Sequence, residues 1–114
     1  MKRPRPLAAL LLLLSAACAP RVTVRPGDGA GATVFSVRSS AESVTLAGSM
    51  TGWRRRPLVR RGERFELDLD LPPGRYEYRL EETSGGGASQ VIFPEGAERT
   101  PDGFGGENAL LRVR

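Results

Sequence analysis

The 114-residue sequence contains no histidine and a single cysteine. Without histidine, no Ser-His-Asp or Cys-His nucleophilic site can assemble. Zinc would have only carboxylates to bind it, so no metal site is expected. One cysteine cannot close a disulfide within the chain. Long apolar runs are also missing: Leu7 to Ala17 is the longest, at 11 residues, where a membrane-spanning helix needs about 20. What remains is 39% apolar and 26% charged, a globular composition with room for one domain. Glu66, Asp68 and Asp70 line one face of a strand, and a glycosidase needs only two carboxyls. A domain of about 82 residues offers no deep cleft to desolvate an acid, so the chain reads as a non-enzyme with no cofactor.

The N-terminus has the three-part plan of a secretory signal. Lys2, Arg3 and Arg5 precede the apolar run Leu7 to Leu14, which ends in Ser15-Ala16-Ala17-Cys18. Leu14 to Cys18 resembles a bacterial lipobox with its leucine one position early. That resemblance implies that residues 1–17 are a lipoprotein signal peptide and Cys18 the acylated first mature residue; ordinary signal cleavage nearby, leaving a free thiol, is the other reading. Ala19, rather than Asp, follows Cys18, the pattern that goes with the outer membrane of a cell envelope. Several acyl chains on one cysteine anchor stably, since each buried CH₂ contributes about 0.8 kcal/mol.

Loss of residues 1–17 removes three of the 17 cations and no anion, leaving 14 against 13, a net charge of +1. The basic pI of about 10.2 therefore gives no support to a nucleic-acid partner. One cluster persists, Arg54, Arg55, Arg56, Arg60, Arg61 and Arg64. It reads as a solvated face, with binding of an anionic envelope polymer as a third functional reading.

Residues 18–32 are rich in Pro, Gly and Ala and read as a flexible tether, in which Val22 and Val24 could make an edge strand limited by Pro26 and the glycines, with the folded domain over 33–114. The domain reads as strands. Thr33 to Arg38 and Ser43 to Ala47 are short runs; Arg64 to Leu71 alternates strictly, with Phe65, Leu67, Leu69 and Leu71 on one face. Pro72-Pro73-Gly74 forces a turn, and Arg75 to Glu81 alternates again with Tyr76, Tyr78 and Leu80 inward and Arg79 on the wet face. The short turn predicts a hairpin between these two strands. Gln90 to Phe93 and Ala109 to Val113 complete the set. With no helical stripe after position 18, the prediction is an all-β antiparallel sandwich.

One ordered series stands out: Gly48-Ser49-Met50-Thr51-Gly52-Trp53 after a Val-Thr-Leu-Ala strand, then Leu71-Pro72-Pro73-Gly74, Tyr76-Glu77-Tyr78-Arg79-Leu80, and Asp102-Gly103-Phe104-Gly105-Gly106-Glu107-Asn108 before the last strand. It resembles the family 48 carbohydrate-binding modules, which include the glycogen-binding domain of the AMP-activated kinase beta subunit and the early-set domains of isoamylases. The resemblance implies an immunoglobulin-like (early-set) β-sandwich that binds α-1,4-glucan. It implies that Trp53 stacks on sugar, that Arg79 and Asn108 contact hydroxyls, and that Phe104 stands where a leucine enters the glucan helix. Flat, weakly polar aromatic faces suit the apolar faces of neutral sugars.

The sequence departs from the family pattern where a second stacking Trp is expected; Val91 is the nearest counterpart. Gly106 replaces a threonine, and Met50-Thr51 a Phe-Asn pair. Two readings follow: a lipid-anchored glucan-binding module, or a cell-envelope scaffold of the same fold that has lost sugar binding and engages a protein partner.

Overall fold

The computed structural model describes residues 21–28 and 31–114. The lipidation candidate Cys18 and the signal segment lie outside the described residues. Among the described residues ten strands follow one another: β1 (Val22–Arg25), β2 (Thr33–Arg38), β3 (Ser43–Gly48), β4 (Arg56–Pro57), β5 (Val59–Arg61), β6 (Arg64–Leu69), β7 (Gly74–Thr83), β8 (Ser89–Ile92), β9 (Arg99–Pro101) and β10 (Glu107–Val113). A single 3-10 turn, Ser49–Thr51, interrupts them, and no α-helix occurs among the described residues.

The strands form two antiparallel sheets. The smaller has the order β1-β2-β6-β5 and the larger β4-β3-β7-β10-β9, with β8 also paired to β7. This is the antiparallel sandwich expected from the alternating strands, and it is consistent with the immunoglobulin-like early-set type that the family resemblance implies. Alternation supplies each sheet with one apolar face. Phe35, Val37 and Phe65 of the smaller sheet meet Val44, Leu46, Tyr78, Leu80, Ala109 and Leu111 of the larger, all buried. Phe35 and Tyr78 bridge the layers edge to face, with ring centroids 5.5 Å apart. Burial in this core pushes the Tyr78 phenol pKa up.

Two expectations are corrected. The tether expected over 18–32 contains a strand: Val22–Arg25 pairs with β2, Val22 opposite Val37 and Val24 opposite Phe35. Val22 is buried and Val24 packs on the core, so apolar burial outweighs the Pro and Gly content around it. The predicted hairpin between Arg64–Leu71 and Arg75–Glu81 is absent, because β6 and β7 lie in different sheets. The turn is an arch between layers. Tyr76 Oη donates to the Pro72 carbonyl at 2.6 Å, the tyrosine-corner geometry that pins such crossings in sandwiches. Pro72 and Pro73 offer no N–H to a ladder, and Gly74 takes φ 157 at the strand entry.

The end of the sandwich at Arg21 is closed by a buried carboxylate. Glu82 accepts from Arg21 of the opposite layer, from Ser39 Oγ at 2.7 Å and from Gln90 Nε2 at 2.8 Å.

Candidate functional site

Residues directly opposite in antiparallel strands share a face. Ala47 lies opposite Arg79, Thr45 opposite Glu81, and Val91 opposite Glu81 on the other side. These side chains make up the outer face of the larger sheet, away from the core. The flanking loops supply what rises above this face.

The loop after β3 raises Trp53. Gly48 is required by close approach, because a Cβ there would meet the Glu77 carbonyl oxygen at 2.5 Å and Tyr78 Cβ at 2.8 Å. Thr51 Oγ1 accepts from the Gly48 N–H at 3.1 Å and donates to the Arg54 carbonyl at 2.8 Å. Trp53 N–H donates to the Gly48 carbonyl at 2.9 Å. To close this loop the backbone is left-handed at both Gly52 (φ 64) and Trp53 (φ 62). Trp53 is the one non-glycine with positive φ among the described residues. Such a conformation is disfavoured for an L-residue, and a tryptophan held in it despite the cost points to a role for the ring. Trp53 is 48% exposed and walls a groove with Ala47, Arg55, Arg79 and Glu81.

Arg79 occupies the middle of the face. On one edge β7 pairs with β10 up to Tyr78 and with β8 from Leu80 onward. Arg79 sits where the partner changes. Its Nη2 donates to Asp102 Oδ2 at 2.9 Å and to Asn108 Oδ1 at 3.3 Å. Asn108 Nδ2 donates in turn to Glu77 Oε1 at 3.3 Å. Arg79 Nε is the one buried side-chain polar atom without a partner among the described residues.

The turn before β10 carries Phe104, which is 94% exposed. Asp102 Oδ1 accepts from the Phe104 N–H at 2.7 Å and the Gly106 N–H at 3.0 Å, and the Asp102 N–H donates to the Gly106 carbonyl at 3.0 Å. Those two backbone N–H groups, with the Arg79 charge added, hold the Asp102 carboxyl below the usual carboxylate range. Phe104 borders a second groove with Arg79, Val91, Phe93 and Asp102.

The sequence-derived site residues are thus brought to one face. Trp53 and Arg79 share one groove, and Arg79 and Phe104 the next. Asn108 is buried, and its amide is engaged by Arg79 and Glu77, so it supports Arg79 from beneath. Sequence reasoning passed over Asp102, Glu77 and the Arg55–Glu81 ion pair at 3.4 Å. The Asp-Gly-x-Gly-Gly string was the available cue for Asp102, since it marks a carboxylate capping a glycine turn.

The arginine cluster does not form a single free face. Arg61 pairs with Glu66 at 3.6 Å, Arg55 with Glu81, and the Arg60 guanidinium lies 4.4 Å from the Phe65 ring centre. Among the described residues no group of three or more His, Cys, Asp or Glu is placed to hold a metal ion, and no helix is long and apolar enough to cross a membrane.

The outer face of the larger sheet thus carries a raised tryptophan beside a fixed arginine. Comparison with known proteins finds similarity over part of the chain. Residues 31–81 match the family model described as the glycogen recognition site of AMP-activated protein kinase. The chain is also similar to the 5'-AMP-activated protein kinase subunit beta-1 of Sus scrofa, 38% identical over 48 residues. That similarity covers 42% of this chain and 39% of the relative. The matched segment runs from just before β2 into β7 and includes Trp53 and Arg79; Phe104 and Asn108 lie beyond it.

Proposed function

We propose that this chain is a non-catalytic, exported lipoprotein whose sandwich binds α-1,4-glucan, of the glycogen or maltodextrin kind, weakly. Trp53 stacks on a glucose ring, and Arg79 with its neighbours meets the hydroxyls. The observation that carries this reading is the strained, half-exposed Trp53 standing over the Arg79 groove. The family match over residues 31–81 supports the same ligand class. The charges also suit a neutral ligand: Arg79 is paired with Asp102 and Arg55 with Glu81.

Anchoring belongs to the same proposal and rests on the sequence: acylation at Cys18 holds the domain at the bacterial outer membrane. The finding of β1 shortens the span. Three peptide units separate Cys18 from Arg21, about 10 Å at full extension, so the sandwich would ride close to the bilayer.

A second reading has one specific observation in its favour. Val91 occupies the outer face beside Arg79, where the family resemblance leads one to expect a second stacking ring, and aliphatic Val91 gives only a small contact. On this reading the face is a scaffold surface for an envelope protein. Affinity electrophoresis separates the two. Among the described residues, all strands and the core lie between Val22 and Val113, so a chain of residues 19–114 carries the sandwich described above. Glycogen in the gel is expected to retard it, and Trp53→Ala to abolish the retardation. A folded chain that runs alike with and without glycogen would rule for the scaffold.

A further inference from the structure

Resting on the glucan reading above, we infer that Asp102 is the positioning and selectivity residue of this face: it fixes Arg79 and the Phe104 turn in one arrangement and masks the Arg79 charge, so that the face accepts neutral glycan and refuses anionic glycan.

The geometry assigns the two carboxylate oxygens different tasks. Oδ1 takes the backbone N–H groups of Phe104 and Gly106 and so shapes the turn. Oδ2 takes the Arg79 guanidinium from a strand 23 residues away in sequence. One side chain thereby ties the exposed Phe104 ring to the residue beside Trp53. Gly106 gives Asp102 its place, since a Cβ at 106 would lie 2.8 Å from Oδ2. The Asp102 side chain is 10% exposed and that of Arg79 35%, so their charges face each other at the floor of the groove rather than in open solvent.

Arg79 needs such a partner. Its Nε is buried without an acceptor, an arrangement that favours swinging the side chain out to water. Asn108 contributes a neutral bond at 3.3 Å, and its other amide group is held by Glu77. The charge-assisted bond to Asp102 is the shorter one, at 2.9 Å, and the stronger by type. Without it, the guanidinium gains freedom and presents an uncancelled positive charge in the middle of the face. That is what a sulfated or uronic polymer would seek.

The test uses Asp102→Asn in the chain of residues 19–114. Asparagine keeps an oxygen for the turn and removes the charge opposite Arg79. Retardation is read in gels containing glycogen and in gels containing dextran sulfate. Asp70→Asn, at an exposed position beyond β6, makes the same change in net charge elsewhere. Asp102→Asn is expected to weaken glycogen retention by about fivefold or more and to gain retention by dextran sulfate well beyond Asp70→Asn. Adding Arg79→Gln should erase that gain. Unchanged glycogen retention, or a gain that survives Arg79→Gln, overturns the inference. If the parent chain ignores glycogen, the glucan reading falls and the dextran sulfate gel alone decides: a gain reversed by Arg79→Gln upholds the masking role, and no gain refutes it. Should Asp102→Asn fail to fold, Asp102→Ser, which also keeps an acceptor for the turn, takes its place.

Discussion

Replacing Trp53 by alanine and by glycine separates what the ring does from what its backbone costs. At φ 62 the backbone is left-handed. Alanine retains the Cβ penalty of about 1–2 kcal/mol, whereas glycine escapes it and gives up about 0.5–1 kcal/mol of chain entropy. Glycine should therefore be the more stable replacement by roughly 0.5–1 kcal/mol, the reverse of the usual order in regular structure. In a domain of this size that is a midpoint difference of about 2–8 °C, readable by thermal unfolding followed by circular dichroism. Binding should not distinguish the two variants. With Trp53 48% exposed and a tryptophan surface of about 250 Å², a sugar that covers half of the exposed part buries about 60 Å². That area is worth about 1.5 kcal/mol, or roughly tenfold in affinity. Both variants should lose that factor together in glucan titrations. A glycine variant less stable than the alanine variant would refute the strain argument. Equal glucan binding by all three chains would refute the role of the ring.

Three further outcomes are expected. Trp at position 91, made by Val91→Trp on the same outer face, should tighten glucan binding by about fivefold through a second stacking surface worth about 1 kcal/mol; calorimetry showing no gain would mean the sugar does not cross β8. Burial raises the Glu82 pKa, but bonds from Ser39, Arg21 and Gln90 and the Arg21 charge outweigh it and leave the carboxyl below its ordinary value. Its stabilisation is thus complete above the unfolded pKa of about 4.3 and is lost as pH falls through the lower folded value; the parent chain should lose more thermal stability than Glu82→Gln on going from about pH 6 to about pH 2, and parallel curves would contradict this. Leu80→Ala, at a fully buried position between the sheets, should cost about 2–5 kcal/mol in urea unfolding, against no measurable cost for Phe104→Ala at the solvent-exposed turn.

The strands were legible because their cause is local. Period-two alternation in Arg64–Leu71 and Arg75–Glu81 marks a half-buried strand whatever its partner. Partners are not local. The three-residue turn at Pro72-Pro73-Gly74 fits a hairpin or an inter-sheet arch, and the deciding bond from Tyr76 to Pro72 shows in sequence only as a tyrosine just past the turn. β1 showed in the sequence only as an alternative, two valines discounted against Pro26 and the nearby glycines, whereas burial of Val22 decides the outcome. At the site, Trp53 and Arg79 were legible through the ordered motifs around them. The Arg79–Asp102–Asn108–Glu77 network was not, because β7, β10 and the turn before β10 assemble it across separations of more than 20 residues. Left-handed geometry at Trp53 was equally hidden: glycine at position 52 signals one such residue, and nothing in the sequence signals the second.

Trp53 is the sole tryptophan of the chain, so its fluorescence reports on the proposed stacking position alone. Titrating residues 19–114 with a long maltodextrin should give a saturable change in emission with a shift to shorter wavelength as the ring leaves water. Emission that stays constant up to millimolar maltodextrin, from a chain shown to be folded, would contradict glucan binding at this face.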